Sequence, residues 1–464
     1  MIVLNILVFR CRAAQIARPS RGRWERLRDF GLDICASEQG DQRGVTNIII
    51  GAGVIGLTTA LELLERGQDV TLVDQEPQEG LGASFANGGL LTPAMSDPWN
   101  APGIHRHLAE FLFSSSSAIK LRWSAIPSLF AWGGRFLLSS TPARFRAAIA
   151  ANFELGMYSL GILDEWRARL PLSIDASDVG TLKFFRSSRA FDAVVGVTDL
   201  LREQGLDARM LSVEEMIRLE PCLEPIASQL VGAIHYPQDK SGDAYLLCRA
   251  LADRIRRLGG TFHFGREVHA IELRGGKAIG IDLGEETLRA DNIIVAAGTA
   301  SPGLVKRLGV RLAIKPVKGY SITYEPEPGQ RLPAIPVVDD AYHAAVTPLG
   351  GRLRSVGTAE FAGGDLHLDR ERVDNLTAFM KAVYPQIATA ETLATGKPWT
   401  GLRPVAADGR PYIGETQTPG LWINSGHGHL GWTLAAGSAR LLADLITRTR
   451  PEIAPEPYCV MRRA

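Results

Sequence analysis

Two glycine-rich turns and one arginine carry most of the chemistry legible in this 464-residue chain. Near the start, Gly51, Gly53 and Gly56 form GxGxxG within "TNIIIGAGVIGLTTALELLERGQDVTLVDQE". The first glycine permits a tight turn and the second lets a pyrophosphate reach the backbone. The third lets a helix pack closely on a strand. Val54 and Ile55 complete the turn and open that helix, whose unpaired N–H groups and positive dipole end suit a phosphate. Asp74 closes the next apolar run, where a carboxylate can take a ribose hydroxyl and disfavours a 2′-phosphate. Near the other end, "LWINSGHGHLGWTLAAG" passes from a strand pattern through Gly426, Gly428 and Gly431 into a helix. His427 and His429 stand i, i+2 in that loop without other ligands nearby, so no metal is expected. Arg403, in "GLRPVAADGRPYIG", offers a guanidinium fork able to hold a carboxylate through two hydrogen bonds. The competing role for Arg403 is a structural ion pair with an acid such as Asp408.

A strand, turn, helix and strand around Gly51 make a βαβ unit, and the elements beyond it sort into two groups. "NIIVAAG" is a buried strand closed by the small residues Ala297 and Gly298. Between and after these come short strand patterns such as "VGTLKFFRS", "AIGIDL", "AIKPVKGYSITY" and "RLRSVGTAEF". Ser212 opens a capping-box pattern, and Asp243 is placed to cap the helix of "DAYLLCRALADRIRRLGG". The pattern predicts an α/β fold: a Rossmann-like dinucleotide-binding domain interleaved with an antiparallel-β, α+β substrate domain. The expected division is 45–98, 240–308 and 398–450 for the first and 99–239 and 309–397 for the second, with a tail at 451–464. Both glycine turns are explained by one long ligand, FAD. Its ADP half would sit on the first helix, and its ring at the second turn, where a helix N-terminus stabilises negative charge on the reduced pyrimidine. Attachment is expected to be non-covalent.

Composition narrows the classes. A net charge of +1 gives no general field for nucleic acid. The five cysteines, Cys11, Cys35, Cys222, Cys248 and Cys459, are scattered without CxxC spacing, which suits a reducing compartment. No run of 18 apolar residues is present. Residues 1–44 read as an unstructured extension or a misassigned start, with a targeting segment as the lesser reading. Between Phe111 and Phe153 there is no acid, while Lys120, Arg122, Arg135, Arg144 and Arg146 are interleaved with Trp123, Phe130, Trp132 and Phe136. Residues 111–146 therefore read either as a peripheral contact with an anionic membrane or as helices packed on the domain with a solvated basic face.

Several motifs together, "GAGVIG", "SFANGGLLTPAMSDPWNAPG", "GTLKFFRS", "KPVKGYSIT", "TGLRPVAADGRPYIG" and "GHGHLGWT", resemble the D-amino-acid oxidase/glycine oxidase superfamily of FAD enzymes. Within it the likeness is to the bacterial D-amino-acid dehydrogenase small subunits, from about Val45 to Ile446. The resemblance implies oxidation of a D-amino acid to an imine, which hydrolyses to a 2-oxo acid and ammonia. It implies electrons passed to a quinone or other respiratory carrier, and a cytoplasmic protein peripheral on the inner face of the bacterial inner membrane, with oligomeric state open. Ser84, Asn87, Gly88 and Gly89 would lie beside the flavin ring, and Val268 would meet the adenine end through its backbone. Gly426, His427, Gly428, Leu430, Gly431 and Thr433 would hold the pyrimidine end. Arg403 matches the carboxylate-binding arginine, with Tyr320 and Tyr342 in the pocket. His429 stands where a small polar residue is common, which bears on substrate choice and keeps cyclic imino acids such as D-hydroxyproline among the candidates. No catalytic acid or base is named, because flavin N5 takes the hydride. The alternatives are an oxygen-using oxidase of glycine or sarcosine-type amines, and a non-catalytic FAD-binding assembly protein.

Overall fold

The computed structural model describes residues 44–107 and 119–462, built around two large sheets. The expectations for residues 1–43 lie outside the described residues. In the first sheet, strands Leu421–Ser425, Asn292–Val295, Thr46–Ile50, Asp69–Asp74 and Thr261–Phe264 run parallel in that order. Tyr412–Glu415 is added antiparallel at the first edge. These strands are almost continuously apolar because both faces are covered. Ile49, Leu72 and Ile294 pack under the helices Val54–Leu64, Ala244–Arg257 and Gly431–Ile446. Ile48, Ile50, Ile293 and Val295 face the other way, onto the antiparallel strands Ala270–Arg274, Lys277–Asp282 and Thr287–Arg289.

The second sheet has nine strands and is mostly antiparallel. At one end Lys397–Ala406 pairs with Ile314–Tyr324, which pairs with Arg352–Phe361. Helix Arg370–Val383 packs on one face, burying Leu376, Phe379 and Met380 against Tyr320, Ile322 and Tyr324. Two boundaries differ from expectation. The strand Lys397–Ala406, assigned from sequence to the dinucleotide-binding residues, is part of this second sheet. Helix Pro142–Arg169, expected with the substrate residues, lies on the last helix, and Leu155, Leu163 and Trp166 share its core. Gly437 makes that approach feasible, since a Cβ there would stand 2.9 Å from the Leu155 carbonyl oxygen. The tail also packs: Tyr458 donates to the Ala151 carbonyl at 2.6 Å.

Buried polar contacts join the two sheets. Ser321 and Thr347 donate to the carbonyls of Ala86 and Gly88, each at 2.7 Å. Arg354 donates to the Asn87 carbonyl and to Thr323, and pairs with Asp243 at 3.1 Å. Asp243 in turn caps its helix by accepting from the Tyr245 and Leu246 N–H groups, as its position in sequence predicts. Both charges are almost wholly buried, and Asp243 also meets Arg352 at 3.3 Å, so losing Arg354 removes one of its two cationic partners. We expect Arg354→Ala to destabilise the protein by about 1.5–3 kcal/mol in denaturant unfolding, the scale for lost hydrogen bonds to charged groups; a cost below about 0.5 kcal/mol would contradict this role.

Candidate active site

Because Thr46–Ile50, Asn292–Val295 and Leu421–Ser425 are parallel neighbours, the turns that follow them share one edge of the sheet. Two inter-strand steps, roughly 10 Å, separate the first turn from the last. Gly51 has φ +109°, and a Cβ there would lie 2.6 Å from the Ala296 carbonyl oxygen. A Cβ on Gly56 would lie 1.8 Å from the Gly51 carbonyl oxygen, which is the close helix packing expected of the third glycine. Gly53 differs from both. Its φ is −75°, ordinary for any residue, and a Cβ would meet nothing nearer than Ser84 Oγ at 3.5 Å. The protein itself does not require glycine there. Space left beside the backbone there suits the close approach of a pyrophosphate expected of the second glycine.

Asp74 ends the neighbouring strand, and its carboxylate accepts from the N–H groups of Ala52 and Glu76. Val268 sits in the loop after Thr261–Phe264, half-buried against the core that holds Ile48, Ile50 and Val295, and the Arg266 N–H of that loop binds the Asp74 carbonyl. Asp74 and Val268 therefore flank one end of the edge. Ser84 accepts from the Val54 N–H at 3.1 Å, on the first turn of the helix, while Ile55 packs partly on the core. The Asn87 side chain accepts from the Gly89 N–H at 3.0 Å, folding the Ser84–Gly89 segment that the second sheet clamps.

The middle and far turns are tied together. Ser425 donates to the Gly298 carbonyl at 3.1 Å, just past Ala297. Gly298 and Gly428 have φ of +52° and +59°, and a Cβ on either would have no protein atom closer than 3.9 Å. Of the larger side chains of this loop, His427 and Leu430 turn inward while His429 stays exposed. His427 is buried, bonded to Ser438 at 3.0 Å, and desolvation lowers its pKa to about 3, so the ring is neutral support. Leu430 lies in the core, and Thr433 accepts from the Thr92 N–H at 3.1 Å. Apart from the exposed His429 side chain, what Gly426 to Gly431 present outward is backbone, opening onto the N-terminus of helix Gly431–Ile446.

A single bridge between Val405 and His427 lays the second sheet onto this loop. That brings Arg403, two residues earlier, beside it. Arg403 Nη1 donates to the Thr358 carbonyl at 3.2 Å, and its guanidinium stands 6.0 Å from the centre of the Trp99 ring. Trp99 stacks on His429 with centroids 5.3 Å apart and 11° between planes. Among the described residues no carboxylate pairs with Arg403. The structural alternative fails on this point, since Asp408 is held by Arg410 at 3.0 Å and by Arg462 at 2.7 Å. Desolvation, with no acid to offset it, lowers the Arg403 pKa to about 10. His429 keeps an edge open to solvent. Desolvation, together with the Arg403 charge, lowers its pKa against the opposing pull of Asp97.

Two expected pocket residues lie elsewhere. Tyr320 is on the opposite face of its strand from Arg403. It is buried against helix Arg370–Val383, and its hydroxyl donates to Glu360 at 2.7 Å. Tyr342 is at a surface turn, with its ring 5.4 Å from Phe379 and near Arg186. Strand alternation removes the first from the pocket, and the turn removes the second. Trp99 was not singled out from sequence; the available signal was a lone aromatic in a proline-flanked loop, "DPWNAP".

The residues present thus fit FAD: an acid at one end of a strand edge, three backbone turns along it, and a helix N-terminus at the other end. Residues 47–445 match the family described as FAD dependent oxidoreductase. The chain belongs to that family. A D-amino acid dehydrogenase of Cereibacter sphaeroides is 38% identical over 410 residues, 88% of this chain and 92% of that one. One from Sinorhizobium medicae is 36% identical over 417 residues, 89% and 99%. Among solved structures, a glycine oxidase from Geobacillus kaustophilus aligns with TM-score 0.71 at 23% identity, covering 90% of this chain and all of that one. An L-proline dehydrogenase from P. horikoshii aligns with TM-score 0.69 at 17% identity, covering 90% and 97%. At those identities the structural likeness speaks to the fold. As an FAD dependent oxidoreductase, the protein should lose its cofactor when the second glycine is filled. Gly53→Val should retain wild-type far-UV circular dichroism but purify without flavin absorbance; a yellow, stoichiometric variant would remove Gly53 from the cofactor contact.

Proposed function

We propose that this protein oxidises D-amino acids, cyclic D-imino acids included, to imines that hydrolyse to 2-oxo acids. The single observation that carries this reading is Arg403: a desolvated guanidinium without a carboxylate of its own, set beside the turn suited to the flavin pyrimidine. An amino acid brings the missing carboxylate. The names of the relatives from Cereibacter sphaeroides and Sinorhizobium medicae support the D series. When bound, FAD supplies the acceptor for the hydride that leaves Cα. The chain's contribution is to aim. Arg403 fixes the carboxylate, and Trp99 and His429 wall one side, which limits the ways Cα can face the ring. A non-catalytic role is disfavoured by the same arginine, which a scaffold would have no reason to leave without a partner.

A quinone or other respiratory carrier is the acceptor we favour, and the surface supplies a reason to look for a membrane. No helix among the described residues is long and apolar enough to cross one. Helix Ile126–Leu138 instead points apolar residues outward: Phe130 is 86% exposed and Leu138 63%, with Leu137 on the same stripe at i, i+7, i+8. Arg135, Arg144 and Arg146 are exposed around it. Two of the five cations of this stretch are used within the fold, Arg122 by Glu360 and Asp369, and Lys120 by Glu371. Trp132 and Phe136 turn inward, with the Trp132 indole donating to the Val405 carbonyl at 3.1 Å. The remaining face suits peripheral contact with an anionic bilayer on its cytoplasmic side.

Arg403→Ala should lower kcat/KM for a preferred D-amino acid by about 2–4 kcal/mol in transition-state terms, while FAD content stays stoichiometric. Unchanged kinetics would take Arg403 out of the site. Phe130→Asp with Leu138→Asp should abolish co-sedimentation with phosphatidylglycerol vesicles and leave turnover with a soluble dye unaltered. Equal sedimentation of both proteins would rule out this face.

A further inference from the structure

The position of Arg403 raises a question that its own hydrogen bonds do not answer: one contact, to the Thr358 carbonyl, cannot hold a flexible side chain in place. Two backbone features beneath it can. In the pairing of Ile314–Tyr324 with Lys397–Ala406, Gly319 faces Gly401, and Arg403 is the diagonal neighbour of Gly319 on the same face of the sheet. A Cβ on Gly319 would stand 2.2 Å from Arg403 Nη1, 2.3 Å from Cζ and 2.4 Å from Nη2. All three distances being alike, the guanidinium plane lies flat on the Gly319 backbone. On the other side the strand register slips between Gly319 and Tyr320, leaving Thr358 as the extra residue of a β-bulge. Thr358 has φ +64°, a left-handed backbone that a β-branched residue rarely adopts. That twist belongs to the residue whose carbonyl receives Nη1.

We infer that Gly319 and the bulge at Thr358 form the seat that positions Arg403 for the substrate carboxylate. This rests on the reading of Arg403 as the carboxylate's partner. Gly319 touches no substrate; it acts by leaving space. Its own backbone is compatible with alanine, and the group a methyl would meet is the end of a flexible side chain. Gly319→Ala should therefore fold, keep FAD, and displace the guanidinium.

The test is a double-mutant cycle read by the flavin spectrum on binding propionate, a carboxylate without an amine, and by KM for D-alanine. Gly319→Ala should weaken propionate binding about 100-fold, the scale for an ångström of misplacement, with FAD stoichiometry and oxidation of D-alaninol, which has no carboxylate, as in the wild type. In an Arg403→Lys background the slimmer ammonium needs no such space, so adding Gly319→Ala should cost less than twofold. This arm also serves if Gly319→Ala alone folds poorly. Wild-type propionate binding by Gly319→Ala, or equal losses in both backgrounds, would overturn the seat while leaving Arg403 in its role. Wild-type binding by Arg403→Ala would instead overturn the reading on which the seat depends.

Discussion

A half-buried positive charge without a counter-charge organises the candidate active site. Desolvating an ion is costly unless it is paired, and folded chains usually place an acid beside such an arginine. Here Asp97 acts on His429 without forming an ion pair with Arg403, and two further acids are committed elsewhere. Asp408 serves Arg410 and Arg462, and Glu360 serves Lys318 and Arg122. Arg403 is left with a carbonyl and an aromatic face, both weak partners. The same arrangement that makes the free protein electrostatically incomplete makes it selective: a ligand with a carboxylate recovers energy that an amine alone would not.

That charge is useful only if its position relative to the cofactor edge is fixed, and the edge belongs to a different sheet. The connection is made twice. At one place the Val405–His427 bridge puts the arginine strand against the last glycine turn. At the other, Ser321, Thr347 and Arg354 grip the carbonyls of Ala86, Gly88 and Asn87, and Arg354 is anchored through Asp243 to the helix Ala244–Arg257. Buried hydrogen bonds and a buried ion pair are poor sources of net stability but strict about geometry, which is what a site shared between two sheets requires.

The parts of this arrangement written in short sequence were legible in it. The first glycine turn, the acid at Asp74, the cap at Asp243 and the strand–loop–helix at Gly426 all follow from local backbone demands. Arg403 was legible through the company of its motif, though only the fold shows that Asp408 is unavailable to it. What escaped depended on long-range register. Tyr320 is next to Gly319, so its side depends on the phase of one strand against its partners, and a single-residue bulge at Thr358 sits beside it. Tyr342 lies on a turn whose direction no periodicity encodes. Helix Pro142–Arg169 looked like part of the substrate residues by position, yet its apolar face matches the last helix of the chain. The strand Lys397–Ala406 was grouped with the motif that follows it, while its pairing partner lies some eighty residues earlier.

The most direct test of the account is an anaerobic spectrum of the purified protein, titrated with D- and L-amino acids, D-hydroxyproline and sarcosine. Bleaching of the flavin band by D-amino or D-imino acids, and not by their L counterparts, is the predicted result. Slow return of colour on admitting air, and fast return with a quinone, would fit the proposed acceptor. A flavin that sarcosine or glycine bleaches while D-amino acids do not, or that none of these compounds reduces, would contradict the proposed reaction.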